Sequence, residues 1–199
     1  MIHYIKPIAL IYLASLLLAC SSSTQQAVSR DRPQRQYSQD YDKAIVAMQN
    51  GDIESARNGF YALTQKAPSY TGPWTNLGII YANQRNYIES ERHFKEALKR
   101  QAQNTVAMNW LAYISKIKKD YYSASILYQR AIEVDPEYSE AHLNLAILYE
   151  ENLSRPKDAL IHYKLYQSLT GETNNLVSAW IHNLEESINN YVASNGEVD

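Results

Sequence analysis

From Ala44 to Ala146 the chain repeats itself every 34 residues, and that period constrains the fold more than any other feature. Phe60, Phe94 and Tyr128 lie one period apart, as do Ala56, Ser90 and Ala124. The same step links Ala44, Gly78, Ala112 and Ala146, and also Leu77, Leu111 and Leu145. Pro68 and Pro136 are two steps apart, with Ala102 between them. A stack of helix pairs needs small, bulky and turn-forming residues in one shared register. Small side chains let the two helices of a pair approach closely, and bulky ones fill the gap to the next pair. No pair buries its apolar face alone, so stability comes from stacking. The turn signals keep step: Asn50-Gly51-Asp52, Gln84-Arg85-Asn86 and Lys118-Lys119-Asp120 each fall between the two helices of a pair.

The best copy is Trp74-Thr75-Asn76-Leu77-Gly78-Ile79-Ile80-Tyr81, followed by Ser90, Phe94 and Ala97; the next carries Met108, Leu111, Ala112, Ala124, Tyr128, Ala131 and Pro136. This set resembles the tetratricopeptide repeat (TPR). The resemblance implies an all-α solenoid of about four helix-turn-helix repeats, near 37–70, 71–104, 105–138 and 139–173, with the repeats running over about 37–170. Two departures stand out. Lys43 occupies a leucine slot of the first repeat, and the fourth repeat carries one inserted residue near Asn152–Pro156 before Ala159, Tyr163 and Tyr166 return to phase. Gly171 breaks the last repeat helix. Val177, Trp180, Ile181, Leu184, Ile188 and Tyr191 then follow at spacings of three and four, which predicts an amphipathic helix over 174–192. It is expected to cap the open end of the stack, with a partner-binding helix as the rival role and a disordered acidic tail at 193–199.

The first nineteen residues read as an export signal: Lys6 supplies the positive start and Ile8–Leu18 the apolar run, which is shorter than a bilayer span. Leu17-Leu18-Ala19-Cys20 followed by Ser21 resembles the lipobox of bacterial lipoproteins, with a bulkier residue than usual at Leu18. The resemblance implies cleavage before Cys20, lipid attachment there, and an outer-membrane lipoprotein facing the periplasm. An ordinary secretory signal is the alternative. Residues 20–36 are polar, without apolar periodicity, and are expected to form a tether reaching on the order of 20–25 Å.

The formal charge is −2 with both signs interspersed, so nothing suggests a nucleic-acid footprint; Arg30, Arg32 and Arg35 form the local basic cluster, in the tether. Cys20 is the single cysteine, which excludes an internal disulfide. No phosphate-binding glycine loop, nucleophile elbow or paired-histidine metal motif occurs, so no enzymatic activity, cofactor or metal is expected. His93 and His162 occupy equivalent positions, which favours shared packing over ligation.

In the TPR family the first helices line a concave groove. The register puts Ile45, Ile79, Tyr113 and Ile147 at one equivalent position on that face, an expected apolar stripe; covered core positions are the alternative. Tyr41, Asn76, Asn83, Asn109, Lys116 and Asn144 lie nearby and are expected to bond a partner's backbone. The expected role is a membrane-anchored protein-binding scaffold or assembly factor with a periplasmic polypeptide client. In architecture it resembles pilotin-type lipoproteins of pilus and secretin assembly. Adaptors for peptidoglycan hydrolases or envelope proteases, and an enzyme accessory subunit, are the alternatives.

Overall fold

A computed structural model describes residues 37–171 and 175–195, which are helical apart from short turns and contain no strand. The export signal, Cys20 and the tether lie outside the described residues, as do 172–174 and the end of the tail. The chain divides into two compact units, one ending at Tyr70 and the other beginning at Thr71.

The first unit holds one helix pair, α1 (37–49) and α2 (Ile53–Lys66). Its interior is built from Ala44, Ala56, Phe60 and Leu63, all buried. The Tyr41 ring sits 5.6 Å from Phe60 and 5.0 Å from Tyr70.

The second unit stacks three helix pairs and a terminal helix. The pairs are α3 (Thr71–Asn83) with α4 (Tyr87–Arg100), α5 (Thr105–Ile117) with α6 (Tyr121–Val134), and α7 (Ser139–Glu151) with α8 (Pro156–Thr170); α9 (Asn175–Asn195) follows. Each helix packs on the next, and the first helices α3, α5 and α7 also touch one another in order, so they share one face. Phe94 and Tyr128 are essentially fully buried between pairs, and Tyr163 between the last pair and α9. Each such ring contributes roughly 1.5–3 kcal/mol of burial free energy. Val177, Ile181 and Leu184 of α9 bury into the cluster that contains Tyr128, Leu145 and Tyr163, so the apolar face of this helix covers the end of the stack. α9 runs three residues past the end expected from the sequence. Nothing between Val192 and Asn195 breaks a helix, and the Ser194 hydroxyl donates back to the Asn190 carbonyl at 2.9 Å.

The turns inside the pairs share one design. Gly51, Arg85, Lys119 and Ser154 all take left-handed backbone, with φ of 80°, 58°, 64° and 53°. At the second of these the Asn86 N–H reaches back to the Tyr81 carbonyl and the Arg85 N–H to the Ala82 carbonyl, each at 2.9 Å, which closes α3 with a Schellman-type cap. The next residue then starts the second helix. Asp52, Asn86 and Asp120 accept from the backbone N–H groups of Ser55, Glu89 and Ser123 at 3.1, 3.3 and 3.1 Å. In the fourth repeat the inserted residue stretches this turn: the Arg155 N–H bonds the Tyr149 carbonyl, six residues back, and Pro156 opens α8 in place of a side-chain cap.

Asn104 does two jobs. Its Oδ1 caps α5 by accepting from the Ala107 N–H at 3.0 Å, and its Nδ2 donates to the Thr75 hydroxyl of α3 at 2.9 Å. Asn104→Ala is expected to lower unfolding free energy by about 1–2 kcal/mol in urea titrations. Asn104→Asp keeps the cap acceptor and should recover part of that loss; no difference between the two variants would show that the cap contributes nothing.

Candidate functional site

The shared face of α3, α5 and α7 contains a concave pocket of about 350 Å3, lined by Ala82, Asn83, Arg85, Tyr87, Asn109, Trp110, Tyr113 and Asn144. Helical register explains why these side chains meet. Asn109 and Tyr113 are four residues apart on α5, one above the other, and Asn144 stands on α7 beside them. The left-handed turn at Arg85 folds the chain back so that Tyr87, the first residue of α4, returns to the same space.

The pocket is amide-rich on its floor and aromatic on its walls. Asn144 Nδ2 donates to Asn109 Oδ1 at 3.1 Å, and Asn109 also bonds the Tyr138 hydroxyl. Asn109 of α5 is therefore held in place by two side chains of the following helix pair and is almost fully buried. Trp110 stacks on Phe94 with centroids 6.1 Å apart and meets the edge of Tyr113 at 5.8 Å, so its ring is fixed from below and from the side. Burial, followed by the neighbouring Tyr87 hydroxyl, raises the Tyr113 pKa above the ordinary phenol value, while Arg85 pulls the other way. The Tyr113 hydroxyl stays protonated at neutral pH and can act as a donor.

Among the residues expected from the sequence, Asn83, Asn109, Tyr113 and Asn144 are brought together in this pocket. The others take different positions. Ile79 is half-buried against the cluster of Phe94, Leu111 and Ile114, and Ile147 against that of Tyr128, Leu145 and Tyr163. Within the second unit the stripe is therefore shared with the core and is not a continuous exposed ribbon. Tyr41 packs on rings inside the first unit, and Ile45 is half-buried there. Lys116 bridges to Glu151 of α7 at 3.0 Å, so its ammonium already has a partner. Asn76 turns its Nδ2 back to the Gly72 carbonyl at 3.1 Å.

Sequence reasoning missed four of the lining residues, Ala82, Arg85, Tyr87 and Trp110. Trp110 was within reach, because it holds the same register position as Asn76 and Asn144. Arg85 and Tyr87 belong to the turn and the start of a second helix, and a search along first helices does not reach them.

His93 and His162 both sit in packing. His93 is 2% exposed and lies between Trp74 and Tyr81, the latter stacked at 5.3 Å. Arg92 donates to its Nε2 at 2.9 Å, which puts the ring proton on Nδ1, a buried atom with no partner among the described residues. His142 Nε2 donates to the Pro136 carbonyl at 3.1 Å, so its Nδ1 accepts from His162 Nδ1 at 2.9 Å. No cluster of three or more metal-ligating side chains occurs among the described residues.

Burial, reinforced by Arg92 for His93 and by His142 for His162, lowers both pKa values from 6.5 to about 4. The unfolded chain therefore binds more protons than the folded one between these values. Stability is complete above pH 6.5 and is lost as pH falls toward 4. Urea midpoints should fall from pH 7.5 to about 5, and His93→Leu should flatten the fall, since Leu127 already occupies the equivalent position one repeat later. An unchanged slope in that variant would remove His93 as a source.

Family models of the tetratricopeptide repeat match residues 41–105, 106–138 and 127–161. Among solved structures the chain is similar to PilF of Pseudomonas aeruginosa, with a TM-score of 0.68 and 18% identity, over 86% of this chain and 80% of that one. It is also similar to MamA, with a TM-score of 0.62 and 16% identity, over 73% of this chain and 84% of that one. At these identities the likeness is one of fold. Among curated proteins, anaphase-promoting complex subunit 3 of Schizosaccharomyces pombe is 20% identical over 75% of this chain. The match spans only 27% of that relative's length.

Proposed function

The chain belongs to the tetratricopeptide-repeat family, and from that premise we propose that it is a membrane-anchored scaffold that holds a polypeptide client in the periplasm and catalyses no reaction. The observation that carries this reading is the pocket on the first-helix face. Rigid aromatic walls and an amide floor are what an extended polypeptide needs: flat surface for side chains and hydrogen bonds for a main chain that gives up water. Nothing in the pocket pairs a nucleophile with a base; its polar groups are amides, phenols and a guanidinium, which bind.

Leu17-Leu18-Ala19-Cys20 supports lipid attachment at Cys20, and a tether of residues 21–36 keeps the folded part within a few nanometres of the membrane. The envelope pathway we favour is pilus or secretin biogenesis, on the architectural resemblance to pilotin-type lipoproteins.

In-cell crosslinking of the lipidated chain, followed by identification of what is captured, tests both parts. Tyr113→Glu places a charge on the pocket wall and should reduce capture at least tenfold while the helical circular-dichroism signal is retained. Undiminished capture would defeat the pocket as the binding site. Recovery of a secretin or pilus component supports the favoured pathway, and recovery of a peptidoglycan hydrolase replaces it with the adaptor role. Cys20→Ala should move the protein to the soluble periplasmic fraction; persistent membrane association would overturn the lipid anchor.

A further inference from the structure

We infer that the pocket of the second unit receives an acidic side chain of the client, with Arg85 as the group that holds its carboxylate while an extended segment crosses the first helices. The inference rests on the protein-binding reading above and adds the chemistry of the bound segment.

Several cations of this unit are already neutralised: Lys116 by Glu151 at 3.0 Å, Arg92 by Glu89 at 2.7 Å and Arg100 by Glu96 at 2.7 Å. Arg85 is exposed at the mouth of the pocket and has no carboxylate within ion-pair distance among the described residues. No acidic residue lines the pocket. The guanidinium is close enough to Tyr113 to pull its phenol pKa down against the effect of burial, so its field reaches the wall of the pocket. A carboxylate entering there meets one uncompensated cation, the one phenolic donor that the Tyr87–Tyr113 hydrogen bond leaves free, and aromatic rings that displace water and so strengthen a charge-assisted bond.

Geometry selects the source of that carboxylate. Asn83, Asn109 and Asn144 come from α3, α5 and α7 in turn, so the amides are laid out across successive repeats. Asn144 uses one N–H on Asn109, which leaves its carbonyl and second N–H for a ligand. Amides placed on both sides of Tyr113 suit a main chain that runs on past the pocket. A chain that ended there would leave the free carbonyl and second N–H of Asn144 unused. The carboxylate is therefore assigned to an internal aspartate or glutamate of the client and not to its C-terminus.

The test uses the full chain in detergent micelles and three probe peptides. One is an N-acetylated, C-amidated alanine–glutamate hexapeptide, one its alanine–glutamine counterpart, and one an alanine hexapeptide with a free C-terminal carboxylate. Binding is read from the indole N–H resonance of Trp110, assigned by its loss in Trp110→Phe. The glutamate peptide should bind roughly three- to tenfold more tightly than the glutamine peptide at low salt, and the gap should narrow at high salt. Arg85→Gln should erase that gap. Lys119→Gln, at the equivalent left-handed turn of the next repeat and outside the pocket, should leave it intact. Equal binding of glutamate and glutamine peptides, or an unchanged gap in Arg85→Gln, overturns the assignment. Preferential binding of the free-carboxylate peptide overturns it in favour of a chain terminus. If Tyr113→Glu abolishes in-cell capture and the peptides are not discriminated, the carboxylate site fails while the pocket stands. Capture that survives both Tyr113→Glu and Arg85→Gln removes the pocket itself.

Discussion

Phe94→Ala is expected to cost about 3–5 kcal/mol of unfolding free energy, a large share of what a domain of this size has. The ring is 0% exposed and is enclosed by Ala97, Ala107, Leu111 and Ile114, with Trp74, Ile79 and Trp110 packed around that cluster. These neighbours come from α3, α4 and α5, so the side chain joins one helix pair to the next. Truncation leaves a cavity that rigid helices cannot close, and the loss exceeds the transfer free energy of the missing atoms. A second consequence follows from the stacking of Trp110 on Phe94 at 6.1 Å. Without the lower ring the pocket wall loses its support, so client capture should weaken even under conditions where the variant remains folded. Phe94→Leu keeps most of the volume and should cost roughly 1–2 kcal/mol. Urea titrations followed by circular dichroism give the numbers. A loss below 1 kcal/mol for the alanine variant would mean that the pairs do not depend on one another at this point.

The burial of Phe94 was legible because three residue classes repeat in phase, and a shared period leaves few alternatives to stacked helix pairs. The turns were legible for the same reason, although not in their backbone. Gly51 announces a left-handed residue, whereas Arg85, Lys119 and Ser154 adopt the same conformation without the residue type that signals it. The pocket was legible in part. Register gives the angle at which a side chain leaves its helix, and that placed Asn83, Asn109, Tyr113 and Asn144 near one another. Register does not give depth. Ile79 and Ile147 share their angle with Tyr113, yet each is drawn against the neighbouring pair, while the longer Tyr113 reaches the pocket. Lys116 also lies on the pocket's helix, and its salt bridge to Glu151 depends on an interhelical distance that no single-helix pattern encodes. Cys20 and the tether remain matters of sequence, outside the described residues.

Gly78→Ala should destabilise the protein by about 1–3 kcal/mol, although alanine is the better helix former by nearly 1 kcal/mol at an unconstrained position. A Cβ at Gly78 would lie 2.6 Å from Cε1, 2.7 Å from Cδ1 and 2.8 Å from Cζ of Phe94. Those atoms belong to a buried ring, which cannot swing away as the end of a long side chain could. The backbone cannot yield freely either, because the Ser90 hydroxyl donates to the Gly78 carbonyl at 2.8 Å and pins α4 to α3 at this place. Ala44, Ala112 and Ala146 hold the equivalent position elsewhere, so the fold as such tolerates a methyl group there. What forbids it in this repeat is the Phe94 ring lying directly against Gly78. The two residues should therefore couple. In a cycle of Gly78→Ala, Phe94→Leu and the double variant, the smaller side chain makes room for the methyl group, and the combined loss should fall short of the sum by at least about 1 kcal/mol. Additive losses would point to a clash with some other neighbour. A gain in stability for Gly78→Ala alone would mean that the helices stand further apart than the Ser90 bond implies. In that event Trp110 would lose its fixed footing, and the pocket its shape.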